Sequence, residues 1–434
     1  MNFISQFSLL KLSLRKKIQK TLNHIAARGA IILINQLSLL LALPLVASRV
    51  DLITFGKIAI GLIIIQISWL IGHWGVQNFS IENWHKLKKR SEKNQIIFLS
   101  IAVGLMNGII FLCLIYLLIL HGWVDISKIF FMSLIPSVLI GAINPIWFFQ
   151  LNKIPQKIIP PTFGARMLFL LIIFIFVKDN SDAHLFFLAQ GIGLLIVCTY
   201  GFFLIIKKYK HRLTYFSMSQ LILFYIKNIP YLINSISNNK INTLWGSGLS
   251  IVGGAEAMAL YNLGDEIYRF GSSMSNIIAQ AVRIHFLKNT ISKIRAINTL
   301  FIFFYFLFAL LICLTIDSLL EISFSNDYSS ASSIIKIMVF AWAINATVKL
   351  FNYPVLGKLY GISWLNRKTY FVVLLHVLFF IFWVIFFDST QSMVIIFTLV
   401  NLIQLILYAF YFINFNPENP YKEKNILKNK NYWG

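Results

Sequence analysis

Charge is what this sequence has least of, and negative charge above all. Only 12% of its 434 residues are charged, and 15 Asp and Glu stand against 38 Lys and Arg, a net charge of +23. Cysteine is nearly absent. Cys113, Cys198 and Cys313 are odd in number, lie in apolar runs and lack metal-ligand spacing, so they read as small core- or lipid-facing residues. There is no G-x-x-x-x-G-K-[ST] stretch to cradle a nucleotide phosphate, no His/Cys metal spacing and no Ser/His/Asp order for nucleophilic catalysis. No polar segment between the apolar runs is long enough for a folded domain. These absences argue against a metal, a nucleotide cofactor or an enzyme site outside the bilayer. They leave the interior of a helix bundle as the place of action.

Apolar residues are abundant: 58% of the chain, with a mean hydropathy of +0.76. A soluble domain cannot hide that much apolar surface, whereas a membrane helix needs runs of about 20 apolar residues. Twelve such runs are predicted, near 26–48, 55–77, 95–120, 128–150, 161–177, 183–206, 221–252, 257–282, 297–317, 333–352, 368–387 and 391–413. The seventh is interrupted by Pro230 and by polar residues. The first twenty residues are basic and mildly amphipathic, and the long apolar segment that follows is not that of a cleavable signal peptide.

Charge placement supports the count. Lys11, Arg15, Lys16, Lys17 and Lys20 precede the first run, "HKLKKRSEK" (85–93) follows the second, Lys153 and Lys157 the fourth, and "KKYKHR" (207–212) the sixth. Arg283, Lys288, Lys293 and Arg295 follow the eighth, Lys358, Arg367 and Lys368 the tenth, and the tail carries Lys422, Lys424, Lys428 and Lys430. The alternate loops are short and mostly acidic, with Asp51, Asp125, Asp179, Asp182, Glu256, Glu321, Asp327 and Asp388. Basic loops mark the cytoplasmic side, so both termini are expected there, and the positive charge calls for no nucleic-acid partner. "KKYKHR" divides the chain into two six-span halves, 1–212 and 213–434. The expected fold is an all-α polytopic membrane protein with two six-helix lobes, a plan common among transporters.

Ionisable residues inside the spans stand out, because each costs about 2.5–3.5 kcal/mol in hydrocarbon. In the eighth span Asn262, Asp265, Glu266, Arg269, Ser272, Ser273, Asn276 and Gln280 recur every three or four residues and so share one helix face. Asn228, Tyr231, Ser235, Asn238 and Asn242 make a similar stripe in the seventh, with Lys227 and Lys240 beside it. Asn234, Ser235, Asn238, Asn242, Asn262, Ser272 and Asn276 are the candidate polar lining of a wet interior, with interhelical hydrogen bonding as the competing role. Arg28, Arg166, Lys227, Lys240 and Arg269 outnumber Asp265 and Glu266, which suits an anionic cargo bound through phosphate oxygens. Asp265 and Glu266, at i,i+4 and i,i+3 from Arg269, are candidates for ion coupling. Lys349 reads as a snorkelling end residue.

Four stretches carry a family resemblance: "PLVASRVDLITFGKIAI" (44–60), "HWGVQNFSIENWHKLKKR" (73–90), "INPIWFFQLNKI" (143–154) and "GGAEAMALYNLGDEIYRF" (253–270). Through Phe55, Gly56, Gly75, Asn78, Ser80, Trp147 to Gln150, Ala255, Glu256 and Tyr261, the chain resembles the oligosaccharide-lipid flippases of bacterial O-antigen and capsule synthesis. These belong to the wider group that includes MATE drug exporters and lipid II flippases. The chain departs from their pattern in lacking Gly after Phe-Phe-Gln, and in having Asp265 then Glu266 where an acid then a lysine is usual. The resemblance implies a cytoplasmic-membrane flippase for polyprenyl-pyrophosphate-linked oligosaccharide, working beside a polysaccharide polymerase and without a bound cofactor. It leaves protons, sodium or the membrane potential as the energy source. A MATE-like exporter of small molecules and a non-transport part in glycan assembly are the competing readings. A glycan polymerase usually needs a large external loop, which this chain lacks.

Overall fold

In hydrocarbon every backbone N–H and C=O must find its partner within the protein, and a long apolar run achieves that as a helix. The computed structural model describes residues 3–414 except 85, 213, 240, 287–290, 325–327, 361 and 388. Among the described residues every regular element is helical. In chain order these are α1 (Phe3–Ala47), α2 (Leu52–His73), α3 (Val76–Asn83), α4 (Arg90–Leu120), α5 (Lys128–Ala142), α6 (Ile146–Leu151), α7 (Ile159–Phe176) and α8 (Leu185–Phe203). The second half of the chain forms α9 (Met218–Asn239), α10 (Ile241–Val252), α11 (Gly254–Phe286), α12 (Ile291–Ser323), α13 (Ala331–Phe351), α14 (Gly357–Tyr360), α15 (Ile362–Phe386) and α16 (Thr390–Ile413). Side-chain caps start several of them: Asp51 accepts from Thr54 N–H at 2.6 Å, and Ser389 from Ser392 N–H at 3.1 Å.

Among the described residues ten helical segments are long and apolar enough to cross a membrane, so the chain is a multi-pass membrane protein. The sequence predicts twelve, and the two others differ for physical reasons. The predicted eighth span lies within α11, which is 33 residues or about 50 Å long but carries Glu256, Asp265, Glu266 and Arg269. The predicted seventh corresponds to α9 and α10, on either side of residue 240, which lies outside the described residues; Pro230 sits inside α9, which also carries Lys227 and several amides.

Large apolar side chains cover the outside. Ile109 and Leu117 on α4, Phe303 and Leu314 on α12, and Leu378 and Ile385 on α15 are all exposed. A soluble protein rarely shows so large an apolar surface, and here lipid covers it. By contrast α2 and α13 are enclosed by their neighbours. α11 packs on α1, α2 and α13, which places its polar face at the centre of the molecule.

The turns sort by charge. At one end Asp51 and Asn180 bond reciprocally (2.8 and 2.7 Å), and Lys57 pairs with Asp125 at 3.4 Å. The Thr54 N–H, helped by Asn180 and Lys57, holds the Asp51 carboxyl below the usual carboxylate range. Beside it the Arg49 guanidinium caps α7, donating to the carbonyls of Phe174 (2.8 Å) and Val177 (2.7 Å). At the other end Trp84, Trp147, Phe148, Tyr209 and His211 form one aromatic cluster among basic turns, with the Lys93 ammonium over the Trp84 ring. Rings of this kind sit well at a membrane–water interface.

Both ends of the α2–α3 segment touch the second half of the chain. At the acidic end Gly56 lies so close to α11 that a Cβ there would stand 1.8 Å from the Ala255 carbonyl oxygen, while Phe55 meets Tyr328 edge-on at 5.6 Å. At the basic end Gly75 has φ 71° and lies against the α9 backbone at Leu232. Both positions need glycine, the first for space and the second for conformation as well. Gly56→Ala is expected to cost about 1–3 kcal/mol through overpacking against a backbone atom that cannot move aside. The check is the unfolding temperature in detergent, which must fall; an unchanged value would show that α2 and α11 part easily at this contact.

Candidate functional site

Amide side chains are costly in hydrocarbon unless they meet one another or water. Those of three helices converge here with charged groups from two more. α1 supplies Asn35 and Gln36, α2 supplies Gln66, α8 supplies Gln190, and α7 and α11 supply the charged groups. Together with Asn144 and Thr162 they line a cavity of about 260 Å³, walled on its apolar side by Leu39, Leu62 and Trp69. Arg166, Glu266 and Arg269 all open onto it. Its lining therefore comes from both halves of the chain.

The two arginines are held very differently. Arg269 Nε lies 2.7 Å from Asp265 Oδ2, and its Nη1 lies 3.8 Å from Glu266 Oε1. Its Nη2 donates to Gln66 Oε1 across the α2–α11 contact. Gln66 Oε1 also accepts from Thr243 Oγ1 on α10 at 3.5 Å, and the Tyr261 hydroxyl donates to Asp265 at 3.5 Å. Asp265 and Glu266 are buried, 2% and 0% exposed, so this cluster is shielded from solvent. With both acids ionised it carries one net negative charge. Arg166 instead donates from Nε to Asn35 Oδ1 at 2.6 Å and lies over the Phe169 ring at 5.7 Å. It makes no ion pair with a carboxylate among the described residues. The cavity thus offers an uncompensated guanidinium on one wall and a neutralised one on another. Among the described residues no group of three or more His, Cys, Asp or Glu could hold a metal.

The predicted residues separate accordingly. Arg166, Arg269 and Glu266 meet in the central cavity, with Asp265 bonded to Arg269. Arg28 lines a second cavity, with His24, Gln77, Gln150 and Lys153. Lys227, expected at the wet interior, lines neither. The buried face of α9 runs through Leu221, Phe224 and Asn228, and Lys227 lies off it, exposed. Lys240 and the side chains of Asn234, Asn238 and Asn242 lie outside the described residues.

The remaining polar residues act between helices. Ser235 accepts from Asn78 Nδ2 at 3.0 Å, joining α9 to α3. Asn262 is buried and Asn276 half-buried, and neither lines these two cavities. Ser272 takes the Lys349 ammonium, on its carbonyl at 2.9 Å and on its hydroxyl. Lys349 therefore does not snorkel: it faces α11 from α13 and finds its acceptors there.

The sequence reading overlooked Asn35, Gln36, Gln66 and Gln190. Their signal was an uncharged amide within an otherwise apolar span, which is less conspicuous than a charge. Removing one member of the Arg269 cluster strands its partner. Arg269→Met is expected to cost about 3–5 kcal/mol, because it leaves two buried carboxylates without their cation. Arg269→Met with Asp265→Asn and Glu266→Gln is expected to unfold at a higher temperature than Arg269→Met alone, and the reverse order would show that the three residues do not act as a unit.

No protein-family profile and no curated protein sequence matches this chain. A solved structure designated only "protein A" is similar to it, with a TM-score of 0.54 at 14% identity, over 92% of this chain and 95% of that one. At that identity the likeness is one of fold.

Proposed function

We propose that this protein is a transporter, not an enzyme. It would move polyprenyl-pyrophosphate-linked oligosaccharide from the cytoplasmic to the outer leaflet of a bacterial cytoplasmic membrane. In this reading the α9–α10 pair and α11 complete twelve spans in two six-helix lobes, 1–212 and 213–434, with both termini cytoplasmic. The observation that carries it is the central cavity, where the uncompensated Arg166 stands among amides contributed by several helices.

The chemistry follows from those residues. The Arg166 fork is suited to two phosphate oxygens at once. The amides of Asn35, Gln36, Gln66 and Gln190 suit sugar hydroxyls, which need both donors and acceptors. The prenyl tail stays in the bilayer while the two lobes rock about the bound headgroup. A cytoplasm-negative potential favours outward movement of the anionic headgroup by about 2.3 kcal/mol per charge per 100 mV. Arg269 plays a second part. Cargo phosphate competes with Asp265 and Glu266 for its guanidinium, and an acid that loses that partner binds a proton or sodium more readily. That exchange would couple cargo to an ion gradient.

Glu266, wholly enclosed and lining the same cavity, supports a second reading: export of a small organic cation. Reconstituted transport separates the two. Proteoliposomes are expected to move a lipid-linked oligosaccharide, and Arg166→Gln to slow this at least tenfold at equal protein incorporation. Arg166→Lys should keep part of the rate, because an ammonium replaces the charge but not the fork. Wild-type rates in Arg166→Gln, or transport of cationic dyes with no movement of the lipid-linked sugar, would overturn the flippase reading. Replacing Asp265 with Asn and Glu266 with Gln is expected to abolish any dependence of transport on pH or sodium. Persistence of that dependence would place the coupling elsewhere.

A further inference from the structure

The second cavity, about 190 Å³ in volume, lies toward the basic end of the molecule. α1 supplies His24 and Arg28, α3 supplies Gln77, and Trp147, Gln150 and Lys153 come from α6 and the turn after it. Its lining holds an arginine, a lysine and a histidine, and no acid. Gln77 Nε2 donates to Gln150 Oε1 at 2.9 Å, which ties two of its walls together. His24 Nδ1 and Arg28 Nε are shielded from solvent and have no hydrogen-bond partner among the described residues. Lys153 holds the left-handed backbone conformation, φ 57°, as the residue that closes α6: its N–H bonds to the Gln150 carbonyl and that of Ile154 to the Phe149 carbonyl. The cap places its ammonium-bearing side chain at this cavity. A buried guanidinium with an unpartnered N–H, beside a histidine and a lysine and with no acid in the lining, makes an anion site.

The origin of the lining residues sets this cavity apart. Every one falls between residues 24 and 153, in the first half of the chain. The central cavity takes Glu266 and Arg269 from the second half. A movement of the halves against each other would reshape the central cavity, while every lining residue of this one belongs to the first half.

We propose that the Arg28 cavity is a separate binding site for a phosphate-class anion, a terminal phosphate or diphosphate, which it holds whatever the arrangement of the two halves. Arg28 would take two oxygens, Lys153 would act as a point charge at the mouth, and His24 would donate a further hydrogen bond. Trp147 shields one side from water. This deepens the flippase reading, on which it rests only for its natural ligand: a diphosphate headgroup docks here before the central cavity admits it.

The test is binding, not transport. The full chain, in nanodiscs of phosphatidylcholine, is titrated with inorganic pyrophosphate by calorimetry. Wild type and Lys227→Gln, which alters an exposed cation lining neither cavity, are expected to bind with dissociation constants within threefold of each other. Arg28→Gln is expected to weaken binding at least tenfold, and Lys153→Gln at least threefold. Lys153 is exposed in a turn, so that variant reports even if Arg28→Gln does not fold. Wild-type affinity in Lys153→Gln and Arg28→Gln, loss of binding only in Arg166→Gln, or no binding by wild type would overturn the site. Two further titrations identify the source of the phosphate. Competition by a short polyprenyl diphosphate and not by phosphatidylglycerol supports the docking role. Competition by phosphatidylglycerol alone overturns that role and assigns the site to bilayer headgroups. Failed transport with this binding intact counts against the flippase reading alone.

Discussion

A guanidinium between two carboxylates, shielded from water, organises this bundle. The charge of Arg269 is costly to bury, and Asp265 and Glu266 on the preceding helical turn offset much of that cost. The cluster still has donors to satisfy, and Gln66 on α2 takes one of them. That bond ties α11 to α2 across the two halves of the chain, and Thr243 on α10 joins it through the same oxygen. α1 then packs on α11 and on α7, so the amides of α1, α2 and α8 face the same space. The cavity exists because polar groups that lipid would reject have only one another to face.

The same residue type does opposite things at its two walls. Arg269 is held by two acids that outweigh its single charge. Arg166 has an amide oxygen and a ring face, neither of which cancels its charge. An anion arriving in the cavity gains more from Arg166 and must displace a carboxylate to reach Arg269. The sequence reading placed its strongest emphasis on Arg269, because three charges in five residues are conspicuous. The geometry moves that emphasis to Arg166, with Arg269 kept for coupling.

Helix approach sets the rest. Gly56 brings the α2 backbone against the Ala255 carbonyl, and Gly75 brings the following turn against α9. Close backbone contact replaces the hydrophobic drive that is missing between helices in lipid. The large side chains displaced from these contacts lie outside, where lipid accepts them. The Arg28 cavity takes all its lining residues from the first half of the chain, although α3, which supplies Gln77, also packs on α9 through Asn78 and Ser235.

The sequence by itself determined the class of the molecule, a multi-pass helical membrane protein. Apolar run lengths and alternating loop charge reflect the thickness and sidedness of a membrane, and both are local quantities. It also marked α11 as polar on one face, since a 3.6-residue period needs no partner to be seen. What it did not reveal were the partners. Gln66 lies 203 residues from Arg269, and Asn35 lies 131 from Arg166. An isolated amide in an apolar run looks the same whether it faces a cavity, a neighbouring helix or lipid. Lys227 and Lys349 show the same limit: both are cations within apolar helices, yet one lies exposed and the other bonds to Ser272. Only the packing of α1, α2, α7, α8 and α11 around one space decided which charges are neutralised, because compensation depends on distance in three dimensions.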